Sequence, residues 1–479
     1  MIAQLYTVLP EIAILVSACV VLIADLFVPP SKRHVSFWLT QIALLVTIWI
    51  VVATARLTPV HAFSGMVVDD MLSDVLRLFA LVAVSLMLFY SRAYLVARGL
   101  FRGEMFVLTL FSLLGMMVMM AAANFITLYL GLELMSLSLY ALVALQRDSS
   151  APSEAAMKYF VLGALASGML LYGISMIYGA TGHLDRDRVA DATLGVQGNR
   201  TLLVFGLVFV VSGIAFKLGV VPYHMWVPDV YHGAPTPVTL LIGTAPKLAA
   251  FAFTLRVLAG ALKGLEFDWQ GMLIVLAVLS MVLGNLVAIA QVNIKRMLAY
   301  STIANMGFML MGFLAADLNG YSAAMFYVVA YVLTSLASFG VVLLLSREGF
   351  EADQIDDFKG LNRRSPWWAF VMLIVMFSLA GVPPTLGFYA KFAVIEAAVN
   401  QGFVWLAVVA VLTSVVGAFY YLRVVKLMYF DDPVDTSPIV APGDARALLS
   451  ANGIALLVFG ILPQYLMGLC TLAVTQSHF

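Results

Sequence analysis

Apolar runs of about twenty residues, closed by charged or Pro/Gly-rich turns, follow one another along almost the whole chain. A helix needs roughly 20 such residues to cross the hydrocarbon of a bilayer. Fourteen runs qualify, with approximate limits 8–27, 35–55, 74–96, 105–122, 124–146, 157–180, 201–221 (continuing to 230), 236–260, 272–291, 297–316, 321–346, 367–400 (interrupted), 402–430 and 447–470. The pattern predicts an all-α integral membrane protein. Glu11 and Asp25 bracket the first run and no basic region precedes it, so it is read as a span and not as a signal peptide. No mitochondrial transit pattern is present either.

Composition agrees. Of 479 residues, 63% are hydrophobic and 11% charged, against roughly 25% charged in a soluble protein. The 26 basic and 26 acidic residues cancel, leaving no net field to attract nucleic acid. Cys19 and Cys470 lie near opposite ends and supply neither a disulfide framework nor an iron–sulfur ligand set. With the N-terminus outside, fifteen of the 26 Lys and Arg residues fall on inward ends and loops and six on outward ones, Arg256 among the latter. That bias follows the positive-inside rule and puts both termini away from the cytoplasm.

Two short patterns recur in the same order. Ala155-Ala156-Met157-Lys158-Tyr159 opens the sixth run and Ala323-Ala324-Met325-Phe326-Tyr327 the eleventh. Phe216-x-Leu218-x-x-Val221-Pro222 lies in the seventh and Phe377-x-Leu379-x-x-Val382-Pro383 in the twelfth. Both shift by five spans, an odd number, so the second copy enters the membrane upside down, as in secondary transporters. The expected organisation is three helices over 1–104, a first five-helix repeat over 105–260, an inverted second over 272–430, and a last helix over 431–479. Pro222 and Pro383-Pro384 break a helix in each repeat, freeing backbone groups that protein or water must satisfy.

Charges inside spans are costly and mark function. Glu133 sits midway along the fifth run with no basic residue one turn away, so its partner must come from another helix. Lys217 precedes the Pro222 break, where the unpaired carbonyls of a helix end are expected to hold its ammonium. Lys247 lies within the eighth run and Lys391 after the second break. Lysine suits a proton relay because burial and a nearby carboxylate move its affinity in opposite directions, whereas arginine stays charged. Lys158 is either an i,i+4 partner of Glu154 or a functional lysine, and His224 either a relay or a hydrogen-bonded histidine. His232 reads as structural or gating, Lys295 and Arg296 as interfacial anchors, and Glu104 as an interfacial residue or subunit contact. The tyrosines and methionines read as packing and interface residues. His34, His61, His183 and His478 have no metal spacing, and no dinucleotide fingerprint or phosphate loop occurs. Spans, repeat and buried charges together point to ion translocation.

The stretch Phe216-Lys217-Leu218-Gly219-Val220-Val221-Pro222-Tyr223-His224-Met225-Trp226-Val227-Pro228-Asp229, continuing into Gly233-Ala234-Pro235-Thr236-Pro237, resembles the antiporter-like proton-pumping subunits. That family includes the large membrane subunits of respiratory complex I and the Mrp cation/proton antiporters. Leu9-Pro10-Glu11, Lys391 after the second break, and the end of the chain after the fourteenth run are similar to the N-type branch of bacterial NADH–quinone oxidoreductase. The resemblance implies a charged axis of Glu133, Lys217, Lys247 and Lys391, with Lys158 and His224 also at positions of interest. It implies that NADH, FMN, iron–sulfur clusters and quinone belong to other subunits, with no cofactor or metal on this chain. The expected partners are other membrane-arm subunits, antiporter-like neighbours among them, and the expected place is the bacterial inner membrane. A sodium/proton antiporter subunit and a structural spacer are the alternatives.

Overall fold

The computed structural model describes residues 2–195, 199–435, 437–439 and 441–477. His478 lies outside them. Among the described residues, thirteen helices are long and apolar enough to cross a membrane. The twelfth span adds one more, built from two half-helices, Pro366–Ala380 and Leu386–Asn400, each too short to cross alone. The chain is a multi-pass membrane protein with the predicted order of spans.

The differences from expectation have local causes. The sixth span begins at Ser150 and runs to Thr181, 32 residues, because the polar turn before the apolar run is helical too and the whole exceeds the roughly 20 residues a crossing needs. The fourteenth divides into Gly443–Ile461 and Pro463–Thr475, because Pro463 cannot donate into the preceding turn. The eighth span is itself broken: Thr236–Ile242 gives way at Gly243-Thr244 to Ala245–Thr254, then to a wider π turn at Leu255–Ala261. One face of the bundle carries a small hairpin, with Val60–Ala62 antiparallel to Val67–Asp69. Val68 N–H donates to Ala121 O at 2.8 Å and Arg186 N–H to Ala123 O at 3.0 Å, tying the hairpin and the short helix Arg186–Leu194 over the ends of the fourth and fifth spans. On the opposite face the 346–365 loop is stitched to the tenth span by Ile294 N–H to Asp353 O at 2.7 Å.

The eighth, tenth and eleventh spans are the most enclosed and form the centre of the bundle. The first, second, sixth, thirteenth and fourteenth expose broad apolar surfaces, as helices facing lipid or other membrane subunits do. Arg256 does not mark an exposed end. It is 1% exposed, and its guanidinium bonds Asp70 Oδ1 at 2.8 Å and Met120 O at 2.7 Å. Burial of an unpaired guanidinium would be prohibitive, so Asp70 at the start of the third span holds it there. Arg77 is enclosed in the same region by Glu11, Asp69 and Asp74, at 2.6, 2.9 and 3.1 Å.

The two interrupted spans share a hydrogen-bond pattern. Arg200–Leu218 ends on Gly219 (φ 78°) and Pro366–Ala380 ends on Gly381 (φ 85°), in the left-handed region that glycine tolerates. Gly219 and Val220 N–H both reach Ala215 O, as Gly381 and Val382 N–H both reach Phe377 O. The peptide bonds Val221–Pro222 and Pro383–Pro384 are both cis. These landmarks place Gly219 opposite Gly381 and Pro222 opposite Pro384. The register is one residue off the Phe-x-Leu-x-x-Val-Pro match, because the apolar letters around a break repeat loosely while its backbone bonds do not.

Candidate functional site

In an unbroken helix, the Leu218 carbonyl would accept from residue 222, which is proline and has no N–H. The Lys217 carbonyl would accept from Val221, whose N–H instead donates to Ser280 Oγ at 2.9 Å. Both carbonyls are taken by one buried lysine. Lys247 Nζ donates to Leu218 O at 2.8 Å and to Lys217 O at 3.3 Å. In the twelfth span Pro383 and Pro384 remove the donors for Leu379 O and Ala380 O. Lys391 Nζ takes these two, each at 3.0 Å. With Gly219 opposite Gly381, the same pair of carbonyls is freed in each break and presented to an ammonium.

The lysines arrive from different directions. Lys247 opens the second segment of the eighth span, whereas Lys391 comes from the second half of the twelfth span itself. A Cβ on Gly219 would stand 3.7 Å from Lys247 Nζ, and one on Gly381 would stand 2.9 Å from Lys391 Cδ. The two glycines thus turn the chain and also leave room for the incoming side chain. An aromatic face lines each ammonium, Trp226 at 5.5 Å from Lys247 and Phe308 at 4.8 Å from Lys391. Ser414 Oγ completes the Lys391 shell at 3.0 Å.

Lys217 departs from expectation. Its ammonium is not held by the carbonyls of its own helix end; Lys247 occupies them. Lys217 Nζ reaches across to the fifth span and donates to Ser136 Oγ at 2.8 Å. Ser136 lies one turn from Glu133, so Lys217 is brought alongside that carboxylate. Among the described residues Glu133 has no ion-pair partner within 4.0 Å, and its Oε1 is buried without a hydrogen bond. Glu133 therefore stands next to Lys217 but unpaired, one hydroxyl away. The backbone of Lys217 then joins its side chain to Lys247, giving a continuous line Glu133, Ser136, Lys217, Lys247.

Lys158 does not join this line. Its side chain is 43% exposed and pairs with Glu154 at 2.8 Å and Asp229 at 2.9 Å. Arg296 holds the other Asp229 oxygen at 2.8 Å. With His232 these residues line a cavity of about 300 Å³ that opens to the face carrying the 346–365 loop. His224 sits in the first break, half-buried, with Nδ1 unpartnered. Glu104 is exposed. Lys295, read as an anchor, is instead 3% exposed, enclosed by the ends of neighbouring helices.

The buried hydroxyls are the main feature that sequence reasoning missed. Tyr327 OH donates to Asn305 Oδ1 at 2.7 Å, Thr302 Oγ1 and Tyr331 OH are 2.6 Å apart, and Thr334 Oγ1 and Ser378 Oγ are 3.1 Å apart. Asn305, Tyr327, Tyr331, Thr334 and Ser378 line a cavity beside Lys391 of about 10 Å³, room for about one water. These tyrosines are not packing residues but a polar seam within the bundle. Ser136 had a detectable signal, three residues from Glu133 on the same helix face. Ser414 and the tyrosines had none, because a lone hydroxyl in an apolar run reads the same whether it faces lipid or a lysine.

Among the described residues, no group of three or more His, Cys, Asp or Glu is placed to hold a metal ion. The arrangement is a row of protonatable groups linked by hydroxyls and freed carbonyls, suited to moving protons.

Comparison with known proteins agrees with that geometry. Residues 122–417 match the family described as NADH:quinone oxidoreductase/Mrp antiporter, TM. The chain is 61% identical over 470 residues to NADH-quinone oxidoreductase subunit N of Thiobacillus denitrificans, covering 98% of this chain and 97% of that one. A chain of respiratory complex I from Thermus thermophilus, solved with bound aureothin, is 33% identical, covers 96% of this chain and 98% of its own length, and superposes with a TM-score of 0.82. A chain of the Mrp complex from Dietzia is 22% identical, covers 99% and 97%, and has a TM-score of 0.84, a likeness of fold alone. The chain therefore belongs to the NADH:quinone oxidoreductase/Mrp antiporter family of membrane subunits, on its NADH-quinone oxidoreductase subunit N branch.

Proposed function

We propose that Glu133, Lys217, Lys247 and Lys391 carry protons across the membrane, with the two helix breaks as the sites where each proton is held. The chain is a proton-translocating, antiporter-like membrane subunit of NADH-quinone oxidoreductase, and NADH-to-quinone electron transfer is the reaction of that complex. NADH, FMN, iron–sulfur clusters and quinone are assigned to the partner subunits. The observation that carries the reading is the equivalence of the two breaks, each presenting the same pair of freed carbonyls to a buried lysine. A fixed structural ion pair would need no such arrangement, since neither Lys247 nor Lys391 is paired with a carboxylate among the described residues.

The division into three leading helices, two inverted five-helix repeats and a closing helix accounts for the shared pattern. Glu133 moving toward or away from Lys217 would shift a proton toward Lys247, and water beside the hydroxyl seam would pass it on to Lys391. His224, with its Nδ1 free of hydrogen bonds in the first break, would serve as a relay there, while Lys158 would act at the mouth of the 300 Å³ cavity. Each exported proton works against about 2.3 kcal/mol per 100 mV, and several sites divide that work into small steps. Ile126, Leu130 and Leu137 are exposed on the same helix as Glu133, a surface suited to a neighbouring antiporter-like subunit in the bacterial inner membrane, with both termini periplasmic. Lys217→Ala in the intact complex, reconstituted in vesicles, should lose most NADH-driven proton translocation. Full pumping in an assembled Lys217→Ala complex would overturn the assignment.

A further inference from the structure

Lys295 is a fourth buried lysine that the row above does not use. It begins the tenth span, Ile294–Leu314, and its Nζ donates to Ala234 O at 3.2 Å. An unbroken helix would direct the Val238 N–H to that carbonyl. Pro235 turns the chain, and Val238 N–H donates to Pro235 O instead, at 2.9 Å. Lys295 thus repeats the contact made by Lys247 and Lys391, a buried ammonium on a carbonyl freed by a proline-bearing break.

A carboxylate stands beside it, as none does beside Lys247 or Lys391 among the described residues. Glu351 Oε1 lies 3.8 Å from Lys295 Nζ, accepts from Thr236 Oγ1 at 2.6 Å and Tyr94 OH at 2.8 Å, and its Oε2 pairs with Arg98 at 2.8 Å. The Glu351 side chain is 24% exposed and the Lys295 side chain 4%, so the pair spans the step from surface to interior. Asp353, Arg98 and His232 are the other charged or titratable groups facing Lys295.

The interior side is polar as well. Seven and ten residues beyond Lys295 the same helix carries Thr302 and Asn305, on the face that Lys295 shares. Thr302 bonds Tyr331, Asn305 bonds Tyr327, and both tyrosines line the small cavity of Lys391. The Tyr231 hydroxyl lies beside Thr302 and Tyr331. The rise from Lys295 to Thr302 along the helix is about 10 Å, so a proton passing between them needs water to bridge that distance.

We infer that Lys295 and Glu351 form a proton-loading pair, which takes protons from the face of the 346–365 loop and passes them through the hydroxyls of Thr302 and Tyr331 and the small cavity that Tyr331 and Tyr327 line to Lys391, with Asn305 holding the Tyr327 hydroxyl in place. The proposal rests on the reading of Lys391 as a proton carrier. Glu351 delivers a proton to the neutral amine of Lys295. Lys295 releases it to the water and hydroxyl chain, in which each hydroxyl accepts one proton and gives up another, and the neutral amine of Lys391 receives it. No oxidant or co-reactant is required.

An anchor needs only a positive charge, whereas a carrier must lose its proton. Lys295→Arg separates the two, since arginine keeps the charge and donors but stays protonated. In the complete complex in vesicles, with assembly checked by native electrophoresis, Lys295→Arg should assemble normally and translocate protons at least fivefold more slowly. An assembled Lys295→Arg complex that pumps at the native rate would overturn the pair. Thr302→Val, which removes a hydroxyl without touching charge, decides the matter if arginine does not fit. It should slow pumping at least threefold, and native pumping would overturn the proposal. Lys217→Ala in the same vesicles keeps the outcomes distinct. Its loss of pumping beside native pumping in the Lys295 and Thr302 variants sinks only the loading pair, while native pumping in Lys217→Ala sinks the reading beneath it.

Discussion

Ser136→Ala is the sharpest test of how Glu133 communicates with Lys217. The Ser136 hydroxyl accepts from Lys217 Nζ at 2.8 Å and donates to Leu132 O at 2.5 Å, one turn back in its own helix. Loss of the second bond costs little, because Leu132 O keeps its helical backbone position and serine back-bonding slightly weakens a helix in any case. Loss of the first removes a hydrogen bond from a charged donor, worth about 1.5–3 kcal/mol. At about 1.4 kcal/mol per factor of ten, Lys217 would occupy its position beside Glu133 about 10- to 150-fold less. The fold should survive, since Ser136 is buried among apolar residues and alanine leaves only a small void. The assay is NADH-driven acidification of inverted vesicles, followed by a pH-sensitive dye and normalised to assembled complex. The expected result is a fall of at least tenfold in Ser136→Ala and near-native pumping in Ser136→Thr, which keeps the hydroxyl. Pumping within twofold of native in Ser136→Ala would show that this hydroxyl does not link the two charges, and the line through Ser136 would fail.

Asp70→Asn leaves the Arg256 guanidinium buried with only a carbonyl and a neutral amide. It should destabilise the subunit by about 3–5 kcal/mol, read as loss of assembled complex, while Asp70→Leu combined with Arg256→Met should recover assembly. A Cβ on Gly115 would lie 2.4 Å from Met135 N and 2.6 Å from Gly131 O, so Gly115→Leu must force the fourth and fifth spans apart. A cost of about 1–3 kcal/mol or more and a lower yield of complex are expected, with Gly115→Ala milder. Outside the membrane, Arg347 at 2.6 Å and the Ser437 contacts hold the Asp435 carboxyl well below the usual carboxylate range. That support is present above the ordinary aspartate value of roughly 3.9 and is lost as pH falls below it through the folded value. Protection against hydrogen exchange, taken relative to the intrinsic rate at each pH, should therefore fall below about pH 4 at the start of the loop after the thirteenth span, and Asp435→Asn should show the lower protection already at neutral pH.

The legible part of this protein was its spacing. Apolar run length returned the order of the spans, since the bilayer sets how much chain each crossing needs and no tertiary contact alters that requirement. The prolines at 222, 383 and 384 announced the broken helices because a missing N–H is a local fact. Glu133, Lys217, Lys247 and Lys391 stood out because a charge in an apolar run is costly wherever the helix turns.

The tertiary structure decided which partner each charge meets. The freed carbonyls before Pro222 hold Lys247, not Lys217, because Lys217 reaches the hydroxyl of another helix while the eighth span delivers Lys247 across the break. Lys295 and Arg256 exchanged their expected places for the same reason, and Lys158 gained Asp229 beside the Glu154 partner its spacing offered. Charge, unlike backbone breakage, is satisfied across helices, and a single chain's periodicity does not say which helices are neighbours. The tyrosine seam beside Lys391 was invisible for a related reason: a hydroxyl costs too little in an apolar run to mark it, and only the packing of the tenth, eleventh and twelfth spans brings these groups within hydrogen-bond reach.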